Sequence, residues 1–463
     1  MLRSLRIARL LILSVATTLV LLGSYPDASD VRRNPAGCQQ ISATMIFGGS
    51  ALAAGLVETI TPAIPGNRRA WRVTHYPRDP TATTVNGLDS VAVHVEDTAF
   101  AEQQSKAIPS NDCADRIVVG AIRWDAWHGD RSEVGKAVER SLGPAKWHSR
   151  LPFFSQILGQ DRVRIDGASQ AVVDREIKYA RMAHLDYWAF LLYDGSNPMS
   201  LGLEYYLSSA RKRGLRFCVI VQLTQWKSEE MAAKQFQRVA ELMRRPEYEK
   251  VVGGRPLLYV LDNVPDTQTD SEPAWGFRQP DIALNQLRAA VRVEGNRDPY
   301  IVIQDWRPER AGALRLKVNG DAISSYSYQR ADTKAPFAHL AEETEQFWEQ
   351  CRSTGSPVVP IVMTGWDRRP RIDHPVFWEA WQQPNVGIDN YYQPPTSTEL
   401  SRHLADAVAW IRTHSDAAPA KALLIYAWNE NDEGGWLVPT LKGDTWRLQA
   451  IRKGLPIKSS ISH

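Results

Sequence analysis

Eight short apolar runs, rich in β-branched and aromatic residues and alternating with helical patterns, constrain this chain more than any other feature. They are Ile117 to Ile122, Tyr187 to Leu192, Phe217 to Gln222, Leu257 to Leu261, Tyr300 to Ile303, Ala322 to Ser325, Val358 to Met363 and Ala422 to Ala427. The helices between them carry one apolar face each. Val173, Ile177 and Ala180 precede the second run, and Phe337, Leu340, Ala341, Thr344, Phe347 and Cys351 the seventh. Leu400, Leu404, Val408 and Ile411 precede the eighth, opened by Thr396-Ser397-Thr398-Glu399, a capping box in which the glutamate reaches back to the cap amide. Trp446 to Arg452 reads as a closing helix. Such alternation is the pattern of repeated βα units around a parallel sheet.

Eight units over roughly 340 residues predict an α/β fold, a (β/α)8 TIM barrel over 116–456 with one long insertion, Gly129 to Gly167, after the first strand. The rival is an open doubly wound sheet, which usually carries a glycine-rich phosphate turn after its first strand. Here that turn reads Arg123-Trp124-Asp125-Ala126-Trp127-His128, so the barrel is favoured. Residues 31–115 are turn-rich, strand-like at Ala70 to Tyr76 and Ser90 to Val95, and read as a small β-rich or irregular N-terminal addition.

In residues 1–30, Arg3, Arg6 and Arg9 precede an apolar run from Leu10 to Leu22, the layout of a secretory signal. That run is short for a membrane span. Ser24 to Ser29 offers small residues but no clean A-x-A site, which leaves both a cleaved signal and an uncleaved anchor open. Either way the remainder is expected to be secreted, periplasmic or otherwise extracytoplasmic. Export permits disulfides. Cys38 and Cys113 flank one polar stretch and are candidates for a bridge, while Cys218 and Cys351 fall in apolar patterns and read as buried free thiols.

A net charge of +3, with no Lys/Arg run interleaved with aromatics, argues against a nucleic-acid partner. No C-x-x-C or H-E-x-x-H occurs and none of the histidines has zinc-site spacing, so no metal or cofactor is expected.

In barrels the chemistry lies on the loops that follow the strands. Those positions hold Trp124, Asp125 and Trp127; Tyr193 and Asp194; Trp226; Asp262; Asp305 and Trp306; Tyr326; Trp366 and Asp367; and finally Trp428, Asn429 and Glu430, with Trp436 beyond. Any one Asp after a strand is commonly a turn or cap residue, and a lone Trp commonly packs at the rim. Recurrence around the barrel points instead to an oligosaccharide or polysaccharide: indoles stack on the C–H faces of a sugar ring, and carboxylates and amides bind its hydroxyls. With 16 Trp against 15 Tyr and 11 Phe, seven indoles fall on these loops and read as the walls of a cleft.

The sharpest segment runs from Tyr426 to Pro439, Y-A-W-N-E-N-D-E-G-G-W-L-V-P. Glu430 and Glu433, three apart at the end of the last strand, are candidates for the two carboxylates of glycosyl transfer to water, one protonated and one ionised. Asp432 beside them would raise carboxylate pKa values by like-charge repulsion. The bland alternative is a solvated acidic turn.

This segment resembles the glycoside hydrolase family 99 and WbsX-like group, whose last strand ends in W-N-E-W-x-E-G followed by L-E-P; Trp428, Asn429, Glu430, Glu433, Gly434, Leu437 and Pro439 stand in register. Gly365-Trp366-Asp367-Arg368-Arg369-Pro370-Arg371 resembles the group's G-W-D-N-x-x-R. Gly253-Gly254-Arg255-Pro256-Leu257 resembles its lead into strand four, and Glu176 to Asp186 its lead into strand two. The resemblance implies a retaining glycosidase acting on an α-linked mannose-like sugar without metal or nucleotide. It implies that Glu430 assists the sugar's 2-hydroxyl, which attacks the anomeric carbon, and that Glu433 is the acid/base. Asn431 replaces the motif's middle Trp, Asp432 fills the variable position and Val438 replaces the Glu of L-E-P, departures that bear on substrate identity.

Two other functions remain open. A transferase of surface polysaccharide synthesis would need a nucleotide-sugar site, but the chain has no D-x-D and only the Arg368, Arg369, Arg371 cluster as a clamp, which reads more simply as a solvated loop paired with acidic neighbours. A non-catalytic carbohydrate-binding barrel is the third.

Overall fold

The computed structural model describes residues 116–262, 275–330, 333–379, 382–383 and 385–455, together with the backbone of four strands between residues 41 and 96. Residues 1–30 and the Cys38–Cys113 pair lie outside the described residues. The chain divides into two compact units, Met1–Ser110 and Asn111–His463. In the first, Ile41–Ile46, Ser90–Glu96, Trp71–Thr74 and Thr59–Ile60 form one antiparallel sheet in that spatial order.

In the second unit, all eight expected strands form. They are β1 Val118–Arg123, β2 Tyr187–Leu191, β3 Arg216–Gln222, β4 Arg255–Leu261, β5 Tyr300–Gln304, β6 Ala322–Ser324, β7 Ile361–Met363 and β8 Ala422–Tyr426. They pair in parallel in the order β6-β5-β4-β3-β2-β1-β8-β7. The Ile323–Val358 bridge closes β6 onto the approach to β7, and the Val359 amide donates to the Ile323 carbonyl at 3.0 Å. This is a (β/α)8 TIM barrel. The seventh strand is shorter than its apolar run because Pro360 has no N–H to add to the ladder, and Val358 and Val359 serve the closure instead.

Helices alternate with the strands and follow the last: α1 Gln170–Met182, α2 Leu201–Ser208, α3 Glu229–Met243, α4 Pro280–Val293, α5 Pro308–Lys317, α6 Phe337–Ser353, α7 Ser397–Thr413 and α8 Trp446–Gly454. Their expected apolar faces are buried, except that Ala341 is only partly covered. The α7 capping box forms as its sequence predicts: the Glu399 amide donates to Thr396 Oγ1 at 3.2 Å and the Thr396 amide to Glu399 Oε2 at 2.8 Å. Cys218 and Cys351 are buried free thiols.

Side chains fill the barrel interior. The Tyr187 and Tyr259 hydroxyls meet at 2.9 Å, and Gly120 on β1 leaves room for them, since a Cβ there would lie 2.1 Å from the Tyr187 ring. The insertion after β1 folds into a helix, Glu133–Leu142, a 3-10 segment, Ala145–Arg150, and a hairpin, Ser155–Gly159 with Arg162–Ile165. It is tied to the loop after β8, where the Phe153 amide donates to the Pro439 carbonyl at 2.9 Å. No helix among the described residues is long and apolar enough to cross a membrane.

Candidate active site

Beyond β8 the chain makes a tight hairpin in which Asn429–Glu430 pairs with Gly435–Trp436. Its turn closes at Gly434, with φ +87°, where a Cβ would lie 2.4 Å from the Asp367 amide nitrogen. Glycine alone combines that backbone with that approach. The Asp367 amide in turn donates to the Glu433 carbonyl at 2.6 Å, fastening the loop after β7 to the hairpin. The short helix Arg369–Asp373 thereby delivers Arg371 beneath the acidic turn.

Arg371 is the centre of the site. Its Nε donates to Asp432 Oδ2 at 2.7 Å, and its Nη1 to Glu379 Oε1 at 2.9 Å and to Glu433 Oε1. Its guanidinium carbon lies 5.2 Å from the Trp124 ring centre and 5.6 Å from that of Trp378. Glu430 is 3% exposed and Glu433 9%, so the acidic turn is buried rather than solvated.

Glu430 Oε1 accepts from the Tyr326 hydroxyl at 2.6 Å, while Oε2 lies 3.6 Å from Arg371 Nη2 and has no hydrogen-bond partner. Burial, and then the charge of Glu433, push the Glu430 carboxyl well above the usual carboxylate range; Asp432 adds to this as the sequence predicts, against Arg371 and the Tyr326 hydroxyl. Glu433 differs in kind. Its Oε2 accepts from the Tyr426 hydroxyl and its Oε1 from Arg371.

Several strand-end residues gather here. The Trp124 indole N–H donates to the Tyr193 hydroxyl at 2.9 Å, and burial holds that phenol at about 12. Asn429 locks the loop after β1 to the hairpin: its Oδ1 accepts from the Trp124 amide at 3.0 Å and its Nδ2 donates to the Trp124 carbonyl at 2.8 Å. The Trp127 indole N–H donates to the Asn429 carbonyl at 2.7 Å, so both Asn429 and Trp127 position rather than line. Trp366 is half-buried, its ring centre 5.7 Å from that of Tyr426. Asp125 is paired with Arg123 at 2.8 Å, and burial raises its carboxyl.

Other strand-end residues play parts unlike those expected of them. Trp226, 1% exposed, packs edge-on against Phe236 with ring centres 4.8 Å apart. Trp428 is wholly buried, with its N–H on Glu176 Oε1 at 2.9 Å and its ring 5.2 Å from Trp188. Both belong to the core: the Trp226 indole N–H donates to half-buried Gln235 and the Trp428 indole N–H to buried Glu176. Asp367 is consumed by Arg369 and Arg150, and Asp194 is an exposed turn residue accepting from the Ser196 amide at 2.9 Å. Trp436 lies against the Arg447 guanidinium at 4.0 Å. Asp262 and Asp305 form a second cluster with Arg310 and Arg307. Burial lifts Asp305 to about 7, with Asp262 adding to it against the Arg307 amide and Arg310. Trp306 beside them is 58% exposed.

The arginine cluster does pair with acidic neighbours as its sequence suggests, but Arg371 is buried rather than on a solvated loop, and Glu379, Tyr426 and Trp378 were not among the expected site residues. One signal was available: Glu430, Asp432 and Glu433 in a buried turn require a cation, and Arg368 to Arg371 is the nearest basic cluster to the same face.

No protein-family model matches the chain, and no curated protein matches it. Among solved structures it is similar to the GH99 endo-alpha-mannosidase from Bacteroides thetaiotaomicron in complex with BIS-TRIS-Propane, with 14% identity and a TM-score of 0.45 over 73% of this chain and 95% of that one. A GH10 endoxylanase retrieved from a sugarcane soil metagenome gives 13% and 0.39 over 61% and 94%, and xylanase B from Clostridium stercorarium F9 gives 10% and 0.31 over 73% and 96%. The functional reading rests on the site's own geometry.

Proposed function

We propose that this chain is an exported glycoside hydrolase, retaining and acting on α-mannoside-like linkages of a polysaccharide, with Glu430 and Glu433 as the reacting pair. One observation carries the reading: two carboxylates from one turn at the end of β8 meet on a single guanidinium, at the C-terminal face of a barrel, beside Tyr326, Tyr193 and half-buried Trp366. The buried, partnerless Oε2 of Glu430 supports a group kept for a substrate, and the aromatic side chains support a sugar. The linkage, the retaining outcome and membership of the family 99 and WbsX-like group come from the motif resemblance, and export from the N-terminal pattern.

The arginine cluster counts against a sugar-nucleotide transferase. Arg371 is taken by Asp432, Glu433 and Glu379, Arg369 by Asp367, and Arg368 by Glu379, so these guanidinium groups already answer carboxylates. The test is reducing-end release from α-mannan oligosaccharides by the wild type and by Glu430→Gln and Glu433→Gln. Turnover by the wild type and its loss in both variants is the expected result. Binding without turnover across a broad glycan panel would instead favour the carbohydrate-binding barrel.

A further inference from the structure

We propose that the turn at residues 376–379, in the loop after β7, carries a second sugar-binding subsite, in which Phe377 and Trp378 stack on the sugar unit next to the one held at Glu430 and Glu433. The assignment rests on the glycosidase reading and deepens it, since the occupant is a further unit of the same glycan.

The turn is fixed at both ends. The Glu379 amide donates to the Val376 carbonyl at 3.1 Å, which makes Phe377 and Trp378 the two central residues of a β-turn. Val376 is buried on one side. On the other, the Glu379 carboxylate accepts from Arg371 Nη1 at 2.9 Å and from Arg368. Side chains presented by a turn pinned in this way have less freedom to lose when a ligand arrives.

Phe377 is nevertheless 59% exposed, and Trp378 is half-buried. A single exposed aromatic on a protein surface needs no explanation. This one is the outer end of a connected file. The Phe377 and Trp378 ring centres are 5.0 Å apart with their planes at 86°, and those of Trp378 and Trp124 are 5.7 Å apart at 69°. The Trp124 indole N–H then reaches the Tyr193 hydroxyl at 2.9 Å. The file thus runs from the loops after β1 and β2 to the loop after β7 and out to solvent.

Arg371 joins this file to the glutamates. Its guanidinium carbon lies 5.2 Å from the Trp124 ring centre and 5.6 Å from that of Trp378, and the same group holds Glu433, with Glu430 at 3.6 Å. A glycan with one unit at the glutamates and the next extending past Trp378 therefore meets rings whose faces suit the C–H patches of a pyranose. The two rings are bordered in the chain by exposed His374 on one side and by the ion pairs of Glu379 on the other. Such a surface suits a ligand with an apolar face and a polar edge, a sugar ring rather than an acyl chain or an apolar peptide.

The experiment measures, by titration calorimetry in the Glu430→Gln background, the Kd of methyl α-mannoside and of 1,2-, 1,3- and 1,6-linked α-mannotriose, with Phe377 intact, Phe377→Ala and Phe377→Trp. Turnover of the triose is followed with Glu430 intact. The triose is expected to bind at least about tenfold more tightly than the monosaccharide, and Phe377→Ala to cut that advantage by at least about fivefold, raising the KM for triose with kcat within about twofold. Phe377→Trp, which keeps a stacking face, is expected to preserve the advantage. Circular dichroism checks that each variant is folded. An unchanged advantage in Phe377→Ala, with the triose still turned over, overturns the subsite and leaves the glycosidase reading standing. A lost advantage, with no turnover by the wild type, leaves the subsite standing and overturns the glycosidase reading. Neither binding nor turnover of any of these glycans overturns both. Unchanged glycan binding together with a shift from dimer to monomer in Phe377→Ala on size exclusion overturns the subsite and gives the rings to an interface between copies.

Discussion

Arg371→Met removes one buried cation and strands the carboxylates that depend on it. The guanidinium is 3% exposed and is the shared partner of Asp432, Glu433 and Glu379, with Glu430 at 3.6 Å. Breaking a buried ion pair from one side costs about 3–5 kcal/mol, because the remaining charge stays desolvated. Here several carboxylates share one cation, and they can lower the penalty by taking up protons. The loss at pH 8 is therefore expected to be about 4 kcal/mol, and at pH 5 about half that, since each pKa unit of upward shift relieves roughly 1.4 kcal/mol once the group is protonated.

The direction follows from linkage. Without Arg371, Glu379 loses the charge that most opposes its burial, so its carboxyl, already raised by that burial, lies further above its unfolded value. Raised carboxyls contribute stability that is complete below the unfolded value and is lost as pH rises through the folded one. The deficit of the variant relative to wild type must then grow from pH 5 to pH 8. Urea unfolding of both proteins at the two pH values, followed by tryptophan fluorescence, measures it. A deficit under about 1 kcal/mol, or an equal one at both pH values, would refute the idea that this guanidinium is the cation holding the acidic turn.

Trp428→Phe is expected to lower stability by about 2–3 kcal/mol, by cavity formation and by depriving buried Glu176 of a donor, while leaving the KM for glycan within about twofold; a large KM change with intact stability would return Trp428 to the pocket wall. Trp306→Ala, at a site 58% exposed, should change stability by no more than about 0.5 kcal/mol and raise the KM for polysaccharide, and an unchanged KM would remove Trp306 from the cleft. Asp305 titrates near 7, above its unfolded value, so it contributes stability below about pH 4 that is lost as pH rises to about 7. Asp305→Asn should therefore gain on wild type across that window, and parallel pH–stability curves would contradict the raised value.

The barrel was legible because its signal is periodic and repeated: β1 to β8 each occupy an apolar run, and α1, α6 and α7 bury all but Ala341 of the residues their spacing predicts. The two candidate glutamates stood out because both lie in one contiguous motif. The fate of single aromatic residues did not, since Trp428 and Trp366 have alike positions after their strands and opposite surroundings. What separates them is the acceptor each indole finds, and Glu176, on α1 and far away in sequence, is visible only after folding. The burial of Arg371 was hidden for the same reason: an arginine in a basic cluster reads as solvated until the Asp367–Glu433 backbone contact turns its short helix inward.

The departures from the family motif belong to one arrangement. Where the motif has Trp, Asn431 donates to the Arg150 carbonyl at 2.7 Å, and Arg150 in turn binds Asp367. The next position, Asp432, receives Arg371 Nε. The inserted segment after β1, the helix after β7 and the hairpin after β8 are thus joined by Asn431 and Asp432 through two arginines. An indole at position 431 could make neither the bond to Arg150 nor the tie it supports, as it has a donor but too much volume for a fully buried turn position. Where the motif it resembles carries a stacking surface, this chain carries a polar lock on the same turn. Under the glycosidase proposal, aromatic contact with the reacting sugar therefore falls to Trp366 and Tyr326, and the turn itself is left to charge.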